Sequence, residues 1–143
     1  SRGRATEITD AVNALSKLTG RPTMLFRPPY GAHNERIDAM MAKQNLAMIN
    51  WAADSNDWQN RDAGKITKAV SQYAATYTQP IIVLHDTYQA TADATSGLIE
   101  ALRHKGMTLV TVSELTVNTG GLEAGKVYCR GTAVNQSGFG CHS

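Results

Sequence analysis

The run "PIIVLHDT" sets four branched aliphatic residues directly before His85 and Asp86, which reads as a strand buried on both faces that ends in ionisable groups. Imidazole exchanges a proton near neutral pH, so a histidine emerging from a dry strand is a candidate general acid. Two more polar clusters follow apolar runs in the same way. Arg27-Pro28-Pro29-Tyr30-Gly31 comes after "TMLF", and Asp54-Ser55-Asn56-Asp57-Trp58 comes soon after "LAMINW". A carboxylate such as Asp57 within hydrogen-bond reach of His85 would hold one tautomer and favour the imidazolium. Each residue also has a plainer reading: a turn cap for Asp54, a surface ion pair for Arg27, a strand stop for Pro28-Pro29, a core edge for Trp58, and a core histidine satisfied by backbone for His85. Their recurrence at three successive strand ends favours a shared site.

The elements that must carry these residues are legible from periodicity. Ile8, Val12, Leu15 and Leu18 predict a helix over 7–19 that Gly20 terminates. Strands are predicted at 23–26, 46–51, 81–84 and 107–112. Between them, Asn34 caps a helix carrying Ile37, Met40 and Met41, and a second carries Ile66, Val70, Tyr73, Ala74 and Tyr77. A third, with Leu98, Ala101 and Leu102, ends in Arg103-His-Lys-Gly106, and Ser113 to Leu115 turns once more. This alternation predicts α/β architecture with a parallel sheet or barrel, in which chemistry gathers at the carboxyl ends of the strands. About four strands are too few to close a barrel of about eight. The chain is therefore expected to begin inside a domain.

With 143 residues, 42% hydrophobic and 18% charged, the composition fits a soluble globular domain with a core. A net charge of +2 argues for neither nucleic acid nor an acidic membrane surface. No apolar run approaches the roughly eighteen residues of a membrane-spanning helix, and Ser1 to Arg4 lacks a signal-peptide core, as expected of mature or trimmed sequence. Hydrophobic periodicity is lost near Asn118. Residues 118–143 read as a Gly-rich tail or linker holding both cysteines, Cys129 and Cys141. A disulfide there, worth roughly 3 kcal/mol in the chain-entropy model, implies a secreted protein; the alternative is two free thiols in the cytosol.

"FRPPYG", "DSNDW" and "IVLHD", in this order and separation, resemble the third, fourth and fifth motifs of the polysaccharide deacetylases, the NodB-homology domain of family 4 carbohydrate esterases. The resemblance covers roughly residues 6–117, including "LVTVSEL", which is similar to the family's last strand and short helix. It implies a deformed (β/α) barrel of which this chain supplies about four βα units. The implied reaction is metal-assisted hydrolysis of an acetyl amide or ester on a polysaccharide such as acetylxylan, chitin oligomers or peptidoglycan. By resemblance, His85 is the catalytic acid, Asp57 tunes it, Arg27 positions and tunes the base, and the backbone N–H of Tyr30 helps stabilise the oxyanion. Leu84, Trp58, Pro29 and Tyr30 are expected to shape the substrate pocket, with Leu84 against the acetyl methyl. Asp54 belongs to the motif with its role open between local structure and a salt bridge to Arg27, and Asp86 is expected to start the next helix.

The family's first two motifs, which carry the base and the ligands for a zinc-type divalent cation, have no counterpart here. The expectation is that the N-terminal half of the same domain, possibly a separate chain, supplies the metal site, and that this chain alone is inactive. His33, His104 and His142 are expected to be ordinary surface histidines, not ligands. Two other function classes stand beside this one. A non-catalytic carbohydrate-binding or interaction module would keep Trp58, Tyr30 and the cleft without the metal half. A serine hydrolase is weakly supported, because Ser55 and Ser96 lack the glycines of a nucleophile elbow.

Overall fold

In the computed structural model, which describes residues 2–134, 138–139 and 141, the chain opens with α1 (Arg2–Thr19), longer at its start than periodicity predicts. Ile8 and Val12 pack on the core, whereas Leu15 and Leu18 remain exposed, so only half of the predicted apolar stripe is used. Three βα units follow. β1 (Leu25–Phe26) and β2 (Ala32–His33) precede α2 (Glu35–Lys43), and β3 (Ala47–Ile49) and β4 (Ala53–Asp54) precede α3 (Ala63–Thr76). β5 (Ile82–Val83) then leads into α4 (Gln89–His104). β1 pairs with β3 and β4 with β5, both parallel, which sets the strand ends of the three clusters on one side. The class is α/β, as predicted.

The helices are specified locally as well as by packing. Asn34 accepts from the backbone N–H of Ile37 at the start of α2, and Asp62 accepts from that of Lys65 at the start of α3. α3 and α4 pack through Val70, Ala74, Leu98 and Leu102, the buried valine and leucines each contributing about 1.5–3 kcal/mol. Tyr73 and Ala101, predicted for these apolar faces, are only partly covered.

Two predicted elements are corrected. Residues 107–111 form no strand: Thr111 and Glu114 make a reciprocal capping box that starts α5 (Val112–Thr116), and the preceding residues pair with no strand among the described residues. The structure thus holds three βα units and not four.

Within residues 118–134 the chain packs back onto the sheet. β6 (Val127–Tyr128) inserts parallel to β3, with β7 (Ala133–Val134) antiparallel beyond it, giving the order β1-β3-β6-β7. Val127, Tyr128 and Cys129 are buried, and the amide of Ile81 donates to Cys129 O. Close approach makes this docking possible at Gly125, where a Cβ would stand 2.7 Å from the Cβ of Ala42 and φ is 79°. β8 (Gly138–Phe139) pairs antiparallel with β2. Cys129 and Cys141 lie with Cα atoms 5.9 Å apart, within the span of a disulfide.

Candidate active site

Pro28 is buried and stops β1, and the chain then makes a single tight turn over Pro29–Gly31. Tyr30 sits in the left-handed region at φ 59°, an unfavourable state for a non-glycine residue, and its ring is 88% exposed. The turn is pinned from the next strand end. Asn50, fully buried, donates from Nδ2 to Gly31 O at 2.9 Å, and a Cβ on Gly31 would come within 3.2 Å of the Trp51 ring. The guanidinium of Arg27 lies 5.9 Å from the centroid of that same indole.

After β3 the chain turns on Asp54. Its carboxylate accepts from the Trp51 indole N–H at 3.0 Å and from the Asn56 amide at 2.8 Å. Asp54 is therefore committed to local structure, and the expected alternative, a salt bridge to Arg27, does not form. This turn delivers Asp57, which is fully buried, and Trp58, which is half exposed.

Along β5 and the two residues after it, an alternation like that of a strand divides Ile82 to His85. Val83 and His85 face the cleft, whereas Ile82 and Leu84 pack against the α3/α4 cluster. Leu84, expected to line the acetyl pocket, thus packs on the opposite face, and Val83 lines the cleft instead. Asp86 is exposed and does not cap α4, whose N-cap is Tyr88.

His85 is held from two directions by one carboxylate. Its Nδ1 lies 2.7 Å from Asp57 Oδ1, and its backbone N–H donates to Asp57 Oδ2 at 2.7 Å. Burial works against the charge on Asp57, but the bonds from the His85 backbone, the His85 ring and the Thr91 hydroxyl outweigh it and hold the carboxyl below its usual range. An ionised carboxylate only accepts, so Nδ1 carries the hydrogen and Nε2 is the nitrogen free to exchange a proton with a ligand. The imidazole is 43% exposed, placing a proton carrier at a solvent-filled opening.

Arg27, Pro29, Tyr30, Trp58 and His85 line one cleft of about 770 Å³, together with Trp51, Asp54, Pro28 and Val83. Asp57 stands behind His85 and not in the cleft. The arrangement offers a proton donor, an aromatic wall and a cation at a single opening. Sequence reasoning missed Val83, Asn50, Trp51 and Thr91. Strand alternation counted back from His85 identifies Val83; the other three act through contacts that no local pattern marks.

Of the remaining histidines, His104 is exposed as expected and His142 lies outside the described residues. His33 is a correction: it is only 8% exposed, with Nδ1 3.0 Å from Asp38 Oδ1, because β2 carries it under the first turn of α2. Among the described residues no cluster of three or more His, Cys, Asp or Glu could hold a metal ion. The described residues do not themselves make the cation site that the resemblance implies.

Residues 2–49 match the family model for polysaccharide deacetylase. The chain is 35% identical over 109 residues to the peptidoglycan-N-acetylmuramic acid deacetylase PdaC of Bacillus subtilis, covering 76% of this chain and 22% of that protein. It is 32% identical over 122 residues to the peptidoglycan-N-acetylglucosamine deacetylase PgdA of Listeria monocytogenes, covering 85% of this chain and 25% of that protein. Among solved structures, a family 4 carbohydrate esterase from Streptomyces lividans in complex with acetate superposes with a TM-score of 0.69 at 29% identity, covering 84% of this chain and 59% of that one. The chain spans about a quarter of the length of these curated relatives.

Proposed function

The chain belongs to the polysaccharide deacetylase family, the family 4 carbohydrate esterases, and on that premise we propose that it carries the proton-donating wall of a deacetylase acting on an acetylated polysaccharide. Its architecture is part of that family's (β/α) barrel. The observation that carries the proposal is the His85–Asp57 pair at the mouth of the cleft, with Nδ1 fixed and Nε2 free.

Hydrolysis of an N-acetyl group adds water across the amide, forms a tetrahedral species, then breaks the C–N bond to release acetate and an amine. A nitrogen leaves poorly as an anion. His85 in its charged form would pass the Nε2 proton to that nitrogen as the bond breaks and end neutral, with Nδ1–H still on Asp57. Trp58 would give the sugar a flat apolar surface, and the Tyr30 turn would present a backbone donor to the oxyanion.

The ligands for the divalent cation the family implies, zinc by resemblance, and the base that Arg27 would position both lie outside this chain; such a cation would supply Lewis-acid chemistry for the hydrolysis. The N-terminal half of the same domain is the proposed source of both. A Cys129–Cys141 disulfide and secretion from the cell complete the reading, in keeping with extracellular glycans as substrate.

The test is acetate release by the full-length, metal-loaded protein from N-acetylated peptidoglycan, chitin oligomers and acetylxylan. Turnover of at least one substrate is expected. Binding of these glycans without acetate release would instead favour the non-catalytic carbohydrate-binding module.

A further inference from the structure

We propose that Thr91, in the first turn of α4, is a positioning residue for the proton donor, its hydroxyl fixing the Asp57 carboxylate that orients His85. This rests on the reading of His85 as the acid.

Asp57 Oδ2 accepts two hydrogen bonds, from the His85 backbone amide at 2.7 Å and from Thr91 Oγ1 at 2.8 Å. Oδ1 is left to the imidazole alone. A carboxylate accepts and does not donate, so the Thr91 hydroxyl must spend its hydrogen on Asp57. Thr91 is only 4% exposed and Asp57 is fully buried, so no bulk water competes for the bond.

With both donors in place the carboxylate cannot turn about its Cβ–Cγ bond without breaking a buried hydrogen bond. Oδ1 therefore stays in line with Nδ1, and Nε2 stays aimed at one place. Thr91 is anchored in turn by α4, where its carbonyl accepts the Thr95 hydroxyl at 2.7 Å. A helix on the α3/α4 side thus reaches under β5 to set the angle of a ring on the far face. Thr91 itself does not line the cleft.

The test uses Thr91→Val, which keeps shape and removes the hydroxyl, and Thr91→Ser, which restores it, in the full-length protein. Two substrates are compared. An acetylated amino sugar needs its leaving nitrogen protonated, whereas 4-nitrophenyl acetate releases a phenolate that needs little help. The ratio of amide to aryl-ester turnover is expected to fall on the order of tenfold in Thr91→Val, through kcat and not KM, as when one hydrogen bond to a charged group is lost. Thr91→Ser is expected to recover most of it. An unchanged ratio would overturn the proposal, whether both activities persist or both fall together from misfolding. His85→Ala on the same substrates separates the two claims: if it leaves amide turnover intact, the reading of the acid fails; if only Thr91→Val is silent, the positioning role alone fails.

Discussion

On one wall of the cleft, a buried carboxylate collects three donors from the His85 ring, the His85 backbone and Thr91, all within 2.8 Å. On the other, Arg27 lies over the Trp51 ring at 5.9 Å, and Tyr30 is exposed on a left-handed turn. The first wall is assembled entirely from this chain, from β4, β5 and α4. The second, among the described residues, offers a guanidinium with no carboxylate in salt-bridge range. Under the proposed function, the carboxylate that Arg27 would position comes from outside this chain. The contrast separates a histidine held in place by this chain from a guanidinium that is not.

Substitutions that break the first wall are expected to have the largest effects. Asp57→Ala strips the acceptor from two buried donors and the tether from His85. Turnover should fall on the order of 10²-fold, and urea titration should show a loss of about 2–3 kcal/mol. Arg27→Ala should lower turnover about tenfold while leaving the urea midpoint nearly unchanged, since the side chain is exposed and unpaired here. A large loss of stability in Arg27→Ala would mean that the second wall is as self-contained as the first. Val83→Ala should raise KM for the acetyl substrate on the order of tenfold. Leu84→Ala should leave KM alone and cost about 1–2 kcal/mol, less than a fully buried leucine.

Acid pH gives the mildest probe of the first wall. The folded state holds the Asp57 carboxyl below its usual range, so the unfolded chain takes up that proton first. The stabilisation is complete above the ordinary aspartate value of about 3.9 and is lost as pH falls through the lower folded value. Asp57→Asn should flatten that acid limb in urea midpoints measured from about pH 6 down to about pH 2.

What the sequence discloses follows the same division between local and distant contacts. Capped, periodic helices such as α2 and α3 can be read because Asn34 and Asp62 act three residues from their partners. The order of polar clusters at three strand ends is likewise local information, and it brings five of the expected site residues into one cleft. Thr91 is invisible because its partner lies 34 positions away and a threonine in a helix has no special pattern. Leu84 and Val83 were exchangeable on hydrophobicity alone, and only the two-residue period of the strand separates them.

Residues 107–112 carry the composition of a strand without the neighbour that would make one, and Thr111 commits to a helix cap instead. The glycines near residue 120 suggested a linker. At Gly125 the missing side chain instead lets the chain lie against α2 and feed β6 into the sheet.

The central claim is that His85 delivers a proton to the leaving nitrogen from a ring held by Asp57. Its most direct test is acetate release from an N-acetylated glycan by the full-length His85→Ala protein, with and without added imidazole. Turnover should fall on the order of 10²- to 10⁴-fold and be partly restored by imidazole occupying the vacated space. Turnover equal to that of the unsubstituted protein would contradict it.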